Sequence, residues 1–159
     1  MTWKAPVEIL TTSHSIKEQN LAINPEVFFV KQLLLVFIGG GTGSVLRYII
    51  GKALNSSQTG IPYGTFVANI LGSLLIGIIL GLATKNETIT QNHTLLLATG
   101  FCGGFTTFST FAYENHIFLK SGDFASFALY TVTSFIIGFL AVFAGIYLVN
   151  YFWTNSQTI

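Results

Sequence analysis

The chain has 159 residues, of which 51% are hydrophobic and 8% charged, against roughly 25% charged residues in ordinary soluble domains. A chain of this length in water needs far more surface charge, so lipid is the expected solvent. Seven basic and six acidic residues give a formal charge of +1 without any basic run, which excludes nucleic acid as a partner; the single cysteine, Cys102, excludes an internal disulfide and a multi-thiolate metal site.

Residues 1–31 are mixed in character, with six charges, two prolines and no apolar core of the kind a signal peptide carries. They are expected to form a polar, mobile or peripheral extension. From Gln32 the chain becomes apolar, and LLLVFIGGGTGSVLRYIIGKAL predicts a first membrane span over about 32–54, long enough at about 1.5 Å per residue to cross about 30 Å of hydrocarbon. Arg47 lies roughly 22 Å along that helix. There it either snorkels to the interface or lines an aqueous vestibule that concentrates anions. Residues 64–84 contain no ionisable side chain and predict the second span, with Pro62 just ahead of it. Asn69, six residues in, must find a partner inside the bundle, as glue between helices or as a donor in a permeation path.

The third stretch, about 94–118, holds Gly100, Gly103 and Gly104 followed by Thr106, Thr107, Ser109 and Thr110. That composition predicts a broken helix. Backbone carbonyls freed between Gly103 and Thr106 make a candidate cation site. A second subunit inserted upside down across a two-fold axis would supply the remaining oxygens. Phe101, Phe105, Phe108 and Phe111 follow at spacings of four, three and three, so they share one helix face unless the break rotates them apart. That face either meets lipid or turns electropositive ring edges toward a small anion. The fourth span, about 124–152, carries Tyr130, Ser134 and Gly138 at intervals of four and ends in interfacial aromatics; residues 153–159 form a short tail. Small residues at four-residue spacing, such as Gly39 with Gly43 and Gly77 with Gly81, suit close helix packing in lipid.

Four spans place both termini on one side of the membrane. Lys17, Lys31 and Lys85 then oppose Arg47, Lys52 and Lys120, a balance that a dual-topology homodimer needs. Glu114 is the one carboxylate close to the third span, and the other spans have none, which favours a passive pore over a proton-coupled carrier. With no phosphate-binding loop, metal-ligand cluster or paired nucleophile and base, an enzyme is not expected.

The motifs GGGTGSVLRY, GTFVANILGSLLIG, GFCGGFTTFSTF and YTVTSFIIG, in this order between about Lys31 and Asn150, resemble the CrcB/Fluc family of fluoride channels. The resemblance implies an all-α integral membrane protein of four transmembrane helices with a broken third helix, assembled as a dual-topology antiparallel homodimer. It implies passive fluoride export through two pores and a structural, untransported sodium ion at the dimer centre, held by backbone carbonyls of Gly103 and Thr106. Carried over, the fluoride pore would comprise Asn69, Phe108, Phe111, Tyr130 and Ser134, with Arg47 and Glu114 at the vestibule; the hydroxyls of Thr107, Ser109 and Thr110, read from the residues alone, interleave with the phenylalanine rings and can donate to the same ion. Gly138 departs from members that continue the polar track with a hydroxyl there, and the extension before Lys31 matches no family feature. The expected home is a bacterial inner membrane, multi-pass, with the lipid bilayer, fluoride and a second copy of the chain as partners. A small dual-topology proton-coupled drug exporter is the alternative from another class.

Overall fold

The protein is described from a computed structural model over residues 25–55, 60–85 and 89–156. Most of the expected polar extension, residues 1–24, and the last three residues of the tail lie outside the described residues. Residues 1–34 and 35–159 form separate compact units. The described part of the first is helical.

All regular structure among the described residues is helical: α1 (Pro25–Leu54), α2 (Tyr63–Lys85), α3 (Gln91–Thr94), a π-helical stretch (Leu95–Cys102), a further turn α4 (Gly103–Phe105), α5 (Phe108–Ser121) and α6 (Phe124–Ser156). Four segments are long and apolar enough to cross a membrane: Glu26–Leu54, Tyr63–Lys85, Gln91–Ser121 and Phe124–Asn155. The first helix starts seven residues before the expected Gln32, and the last runs to Ser156 rather than 152. In both places helical backbone continues past the apolar core, since a polar flank at the membrane surface loses nothing by staying helical.

Burial is inverted relative to a soluble protein. Phe37, Phe139, Phe143 and Tyr147 are exposed, whereas the buried residues of α2 are Gly64, Thr65, Ala68, Gly72, Gly77 and Gly81. Large side chains meet lipid at no hydrophobic cost, and small ones let backbones approach until dispersion and backbone contact hold the bundle. A Cβ on Gly145 of α6 would lie 2.8 Å from the Ile78 amide nitrogen of α2, and one on Gly43 of α1 would lie 2.8 Å from that of Phe105. Both are too close for a real carbon. A Gly43→Ala variant is therefore expected to cost about 1–3 kcal/mol through forced separation of α1 from the third span. Gly51→Ala, whose Cβ meets nothing within 4 Å, should be neutral or gain up to about 1 kcal/mol of helix propensity. Thermal unfolding of the two variants in detergent checks the contrast.

The third span is broken as expected just after Gly103, and the residues that leave the helix are the threonines of that stretch, not its glycines. Gly103 is right-handed helical (φ −63°, ψ −37°), while Thr106 (φ −84°, ψ 158°) and Thr107 (φ −150°, ψ 117°) are extended. Gly100 and Gly104 serve contact with α1 instead: a Cβ on Gly104 would lie 2.8 Å from the Gly40 Cα, and one on Gly100 3.0 Å from the Gly39 Cα. What ends the helix is hydrogen bonding. Thr107 is the N-cap of α5, its Oγ1 accepting from the Thr110 amide at 3.2 Å.

The turn from α5 to α6 is closed by Gly122 at φ 77°, the left-handed geometry that glycine adopts without strain. There the Phe118 carbonyl accepts from the Asp123 amide at 2.9 Å. Asp123, outside the spans, accepts from the Ser126 amide at 3.0 Å, and the hydroxyl and amide of Ser126 hold its carboxyl below the usual range. Asn115 then ties the two helices: its Nδ2 donates to the Phe111 carbonyl at 2.9 Å and its Oδ1 accepts from Thr131 Oγ1 at 2.8 Å.

Candidate functional site

The break leaves several carbonyls without their helical donors, and the surrounding residues respond to that. The Thr106 amide still reaches the Cys102 carbonyl at 2.9 Å, but the Thr107 amide turns away from Gly103 and donates to Asn69 Oδ1 at 2.8 Å. Asn69 Nδ2 in turn donates to the Thr107 carbonyl at 3.2 Å. One amide side chain from α2 thus clasps both backbone groups of the residue that interrupts the third span. The second N–H of Nδ2 remains for another acceptor.

The Gly104 carbonyl accepts from Ser44 Oγ at 3.3 Å and from Arg47 Nε at 3.2 Å. Arg47 therefore neither simply snorkels nor stands free. It is tied to the end of α4, where a cation is favoured by the carbonyls of a helix C-terminus.

Beside the break lies a cleft of about 420 Å³, lined by α2 through Asn69, Gly72, Ser73 and Ile76, by the third span through Ala98 to Thr107, by Phe108 and Phe111 of α5, and by Ser134, Phe135 and Gly138 of α6. Its lining contains no Asp, Glu, Lys, Arg or His side chain. What it offers is neutral: amide, hydroxyl and backbone donors set in apolar walls. Ser134 Oγ is buried yet has no hydrogen-bond partner, although a buried hydroxyl without one is costly. Phe108 is 74% exposed whereas Phe111 is 8% exposed. Their ring centroids are 6.1 Å apart, and Phe111 meets Phe135 edge-on at 5.8 Å.

Of the residues expected in a pore, the structure brings together Asn69, Phe108, Phe111 and Ser134. It does not bring Ser109, Thr110 or Tyr130 to the cleft lining. Thr110 and Ser109 serve the cap of α5, with Thr107 Oγ1 at 3.0 Å and 3.3 Å from their hydroxyls. The four-phenylalanine stripe is split in two, Phe101 stacking on Phe105 before the break at 5.6 Å and Phe108 pairing with Phe111 after it. The extended pair Thr106–Thr107 accounts for this, because two non-helical residues change the face on which later side chains emerge.

Tyr130 is 1% exposed and donates to Glu114 Oε2 at 2.8 Å, while Thr65 Oγ1 donates to Glu114 Oε1 at 2.6 Å. These three residues join α2, α5 and α6 in one knot against the Phe111–Phe118–Tyr130 cluster. Sequence reasoning missed Thr65, and it read Thr107 as a donor beside the phenylalanine rings where the structure uses its hydroxyl to cap α5. A threonine at the head of an apolar span, and a threonine three residues ahead of another hydroxyl where a helix restarts, were the available signals.

Four apolar helices, one of them interrupted beside an uncharged cleft that carries a few donors, define a small multi-pass membrane protein. The family model described as CrcB-like protein, Camphor Resistance (CrcB), matches residues 34–146, and the chain belongs to that family. It is 50% identical over 120 residues to a protein of Gloeothece citriformis named fluoride-specific ion channel FluC, covering 75% of this chain and 97% of that one. A protein of the same name from Phocaeicola vulgatus is 47% identical over 120 residues, covering 75% and 98%. One from Leptospira interrogans is 42% identical over 128, covering 78% and 98%. With relatives that are ion channels, the chain is not an enzyme. The drug-exporter alternative finds no support among them.

Proposed function

We propose that the protein is a fluoride-selective passive channel that lets fluoride leave the cytoplasm across a bacterial inner membrane, working as an antiparallel dual-topology homodimer. The observation that carries this reading is the buried, unpartnered Ser134 hydroxyl in an uncharged cleft beside Phe108 and Phe111. A bare anion moved into an apolar medium costs tens of kcal/mol, so a pore must replace its water. Neutral donors do so without the trap that a full positive charge would set. Ser134 Oγ–H and the spare Asn69 N–H donate to fluoride, and the electropositive ring edges of Phe108 and Phe111 complete its surroundings. Fluoride is small and basic enough to draw strongly on such donors, and chloride is too large and soft to gain as much. Hydrogen fluoride enters cells as the neutral acid and ionises inside, so a passive pore suffices for export.

Arg47 concentrates anions at the aqueous entrance, and Glu114 fixes the packing near the pore mouth. A structural sodium ion fits the carbonyls of Gly103 and Thr106. Gly103 has lost its helical donor, both are hard oxygens suited to a hard cation, and two from each of two copies make a set of four. When bound, sodium would offset the carbonyl dipoles where the two breaks meet.

Purified protein in liposomes, read with a fluoride electrode, should release fluoride rapidly in sodium-containing buffer and without a proton gradient, while chloride is retained. Phe108→Ile, which keeps the bulk but removes the ring edge, should slow release about tenfold or more, the upper end of one aromatic contact. Retention of fluoride by a folded wild-type dimer would sink the proposal.

A further inference from the structure

The hydroxyl ridge of α6 stops at Ser134, because Gly138 one turn on has no side chain, yet the cleft continues past it. Across the cleft, α2 supplies Ser73, one turn beyond Asn69. Its Oγ lies 3.8 Å from where a Cβ on Gly138 would sit. Other helical hydroxyls in this chain are engaged, either back on their own helix, as Thr42 to Ile38 and Gly39, Thr84 to Gly81 and Thr133 to Leu129, or across to another, as Ser44 to Gly104, Thr65 to Glu114 and Thr131 to Asn115. Ser73 forms no hydrogen bond among the described residues, a state it shares with Ser134. A serine that makes neither kind of bond and lines the cleft has its donor available for something in that cleft.

We infer that Ser73 is an ion-coordinating residue, donating from α2 at the level where Gly138 leaves α6 silent, so that the donor path crosses from one helix to the other there. This rests on the fluoride-channel reading, which supplies the anion. The O–H of Ser73 donates to fluoride as the ion moves past Ser134, with the apolar Ile76 of the same helix lining the cleft one turn further on. A serine Cβ fits at Gly138 without displacement, its nearest neighbours being Ser73 Oγ at 3.8 Å and Ile70 Cδ1 at 3.9 Å. The hydroxyl can therefore be moved from one helix to the other.

The test uses the full chain in liposomes, comparing wild type, Ser73→Ala, Gly138→Ser and the double variant for fluoride release, with dimer content checked by size exclusion. Ser73→Ala removes one oxygen from a helix and should fold. We expect it to slow release by at least about tenfold, the scale of one hydrogen bond to a charged group. Adding Gly138→Ser should bring the double variant back to within about threefold of wild type, allowing for a slightly different donor geometry. A merely structural Ser73 would not be rescued from the opposite helix. Wild-type release from Ser73→Ala, or no recovery in the double variant, overturns the inference and leaves the channel reading in place; a wild type that passes no fluoride overturns both.

Discussion

Asn69→Asp should abolish fluoride release while leaving the protein folded. Asp keeps Oδ1, so it still accepts from the Thr107 amide at the observed 2.8 Å, and the break keeps half of its clasp. It loses the donor to the Thr107 carbonyl and, more important, adds a negative charge to a cleft whose lining carries none. Two like charges about 4 Å apart repel by about 4 kcal/mol at the effective dielectric of a protein surface, a factor of nearly a thousand in local anion occupancy. The lost hydrogen bond costs about 1–3 kcal/mol, which a membrane bundle tolerates. Asn69→Leu separates the two effects: it adds no charge but orphans both backbone groups of Thr107, so here the fold suffers. Release rates beside thermal unfolding of the two variants check this, and a conducting Asp variant would show that fluoride does not pass Asn69.

The number and order of the helices were legible because each span is an apolar run that water would reject, and only helices satisfy their backbone in lipid without a partner segment. The glycine spacing foretold close helix packing but not which helices pair; a missing Cβ on Gly43 admits the third span, and one on Gly77 admits α6. The break was legible to the stretch from Gly103 to Thr106, but what sets it was not. Glycine's backbone freedom suggested it, but Gly100 and Gly104 are held helical by the packing of α1 upon them, and the interruption is set by Asn69, 38 residues away from Thr107. Long-range hydrogen bonds leave no periodic trace in sequence. The same limit hid the role of Glu114, which read as a group near a membrane face. It is instead the acceptor for two hydroxyls from helices that precede and follow it, and Tyr130, which fits a donor track by spacing, is committed to that carboxylate instead.

Glu114→Ala should therefore be a folding defect first. Both oxygens act as acceptors, as an ionised carboxylate allows, one for Thr65 at 2.6 Å and one for Tyr130 at 2.8 Å. Removing them leaves two hydroxyls unpartnered, and Tyr130 is almost wholly buried. At about 1–3 kcal/mol for each orphaned group, the loss reaches about 2–6 kcal/mol, a large share of the roughly 5–15 kcal/mol that holds a typical protein. Glu114→Gln keeps the shape: its oxygen accepts from Thr65 and its amide nitrogen donates to the Tyr130 oxygen, at the cost of charge assistance, about 1–2 kcal/mol. Tyr130→Phe in the Ala background should then restore stability, because it removes an orphan rather than a bond. That sign reversal, read by thermal unfolding across a Glu114 and Tyr130 double-mutant cycle, distinguishes a packing knot from a group that touches the ion. Additive losses in the cycle would mean that the pair contributes nothing jointly, and that the carboxylate is kept for the pore mouth rather than for the fold.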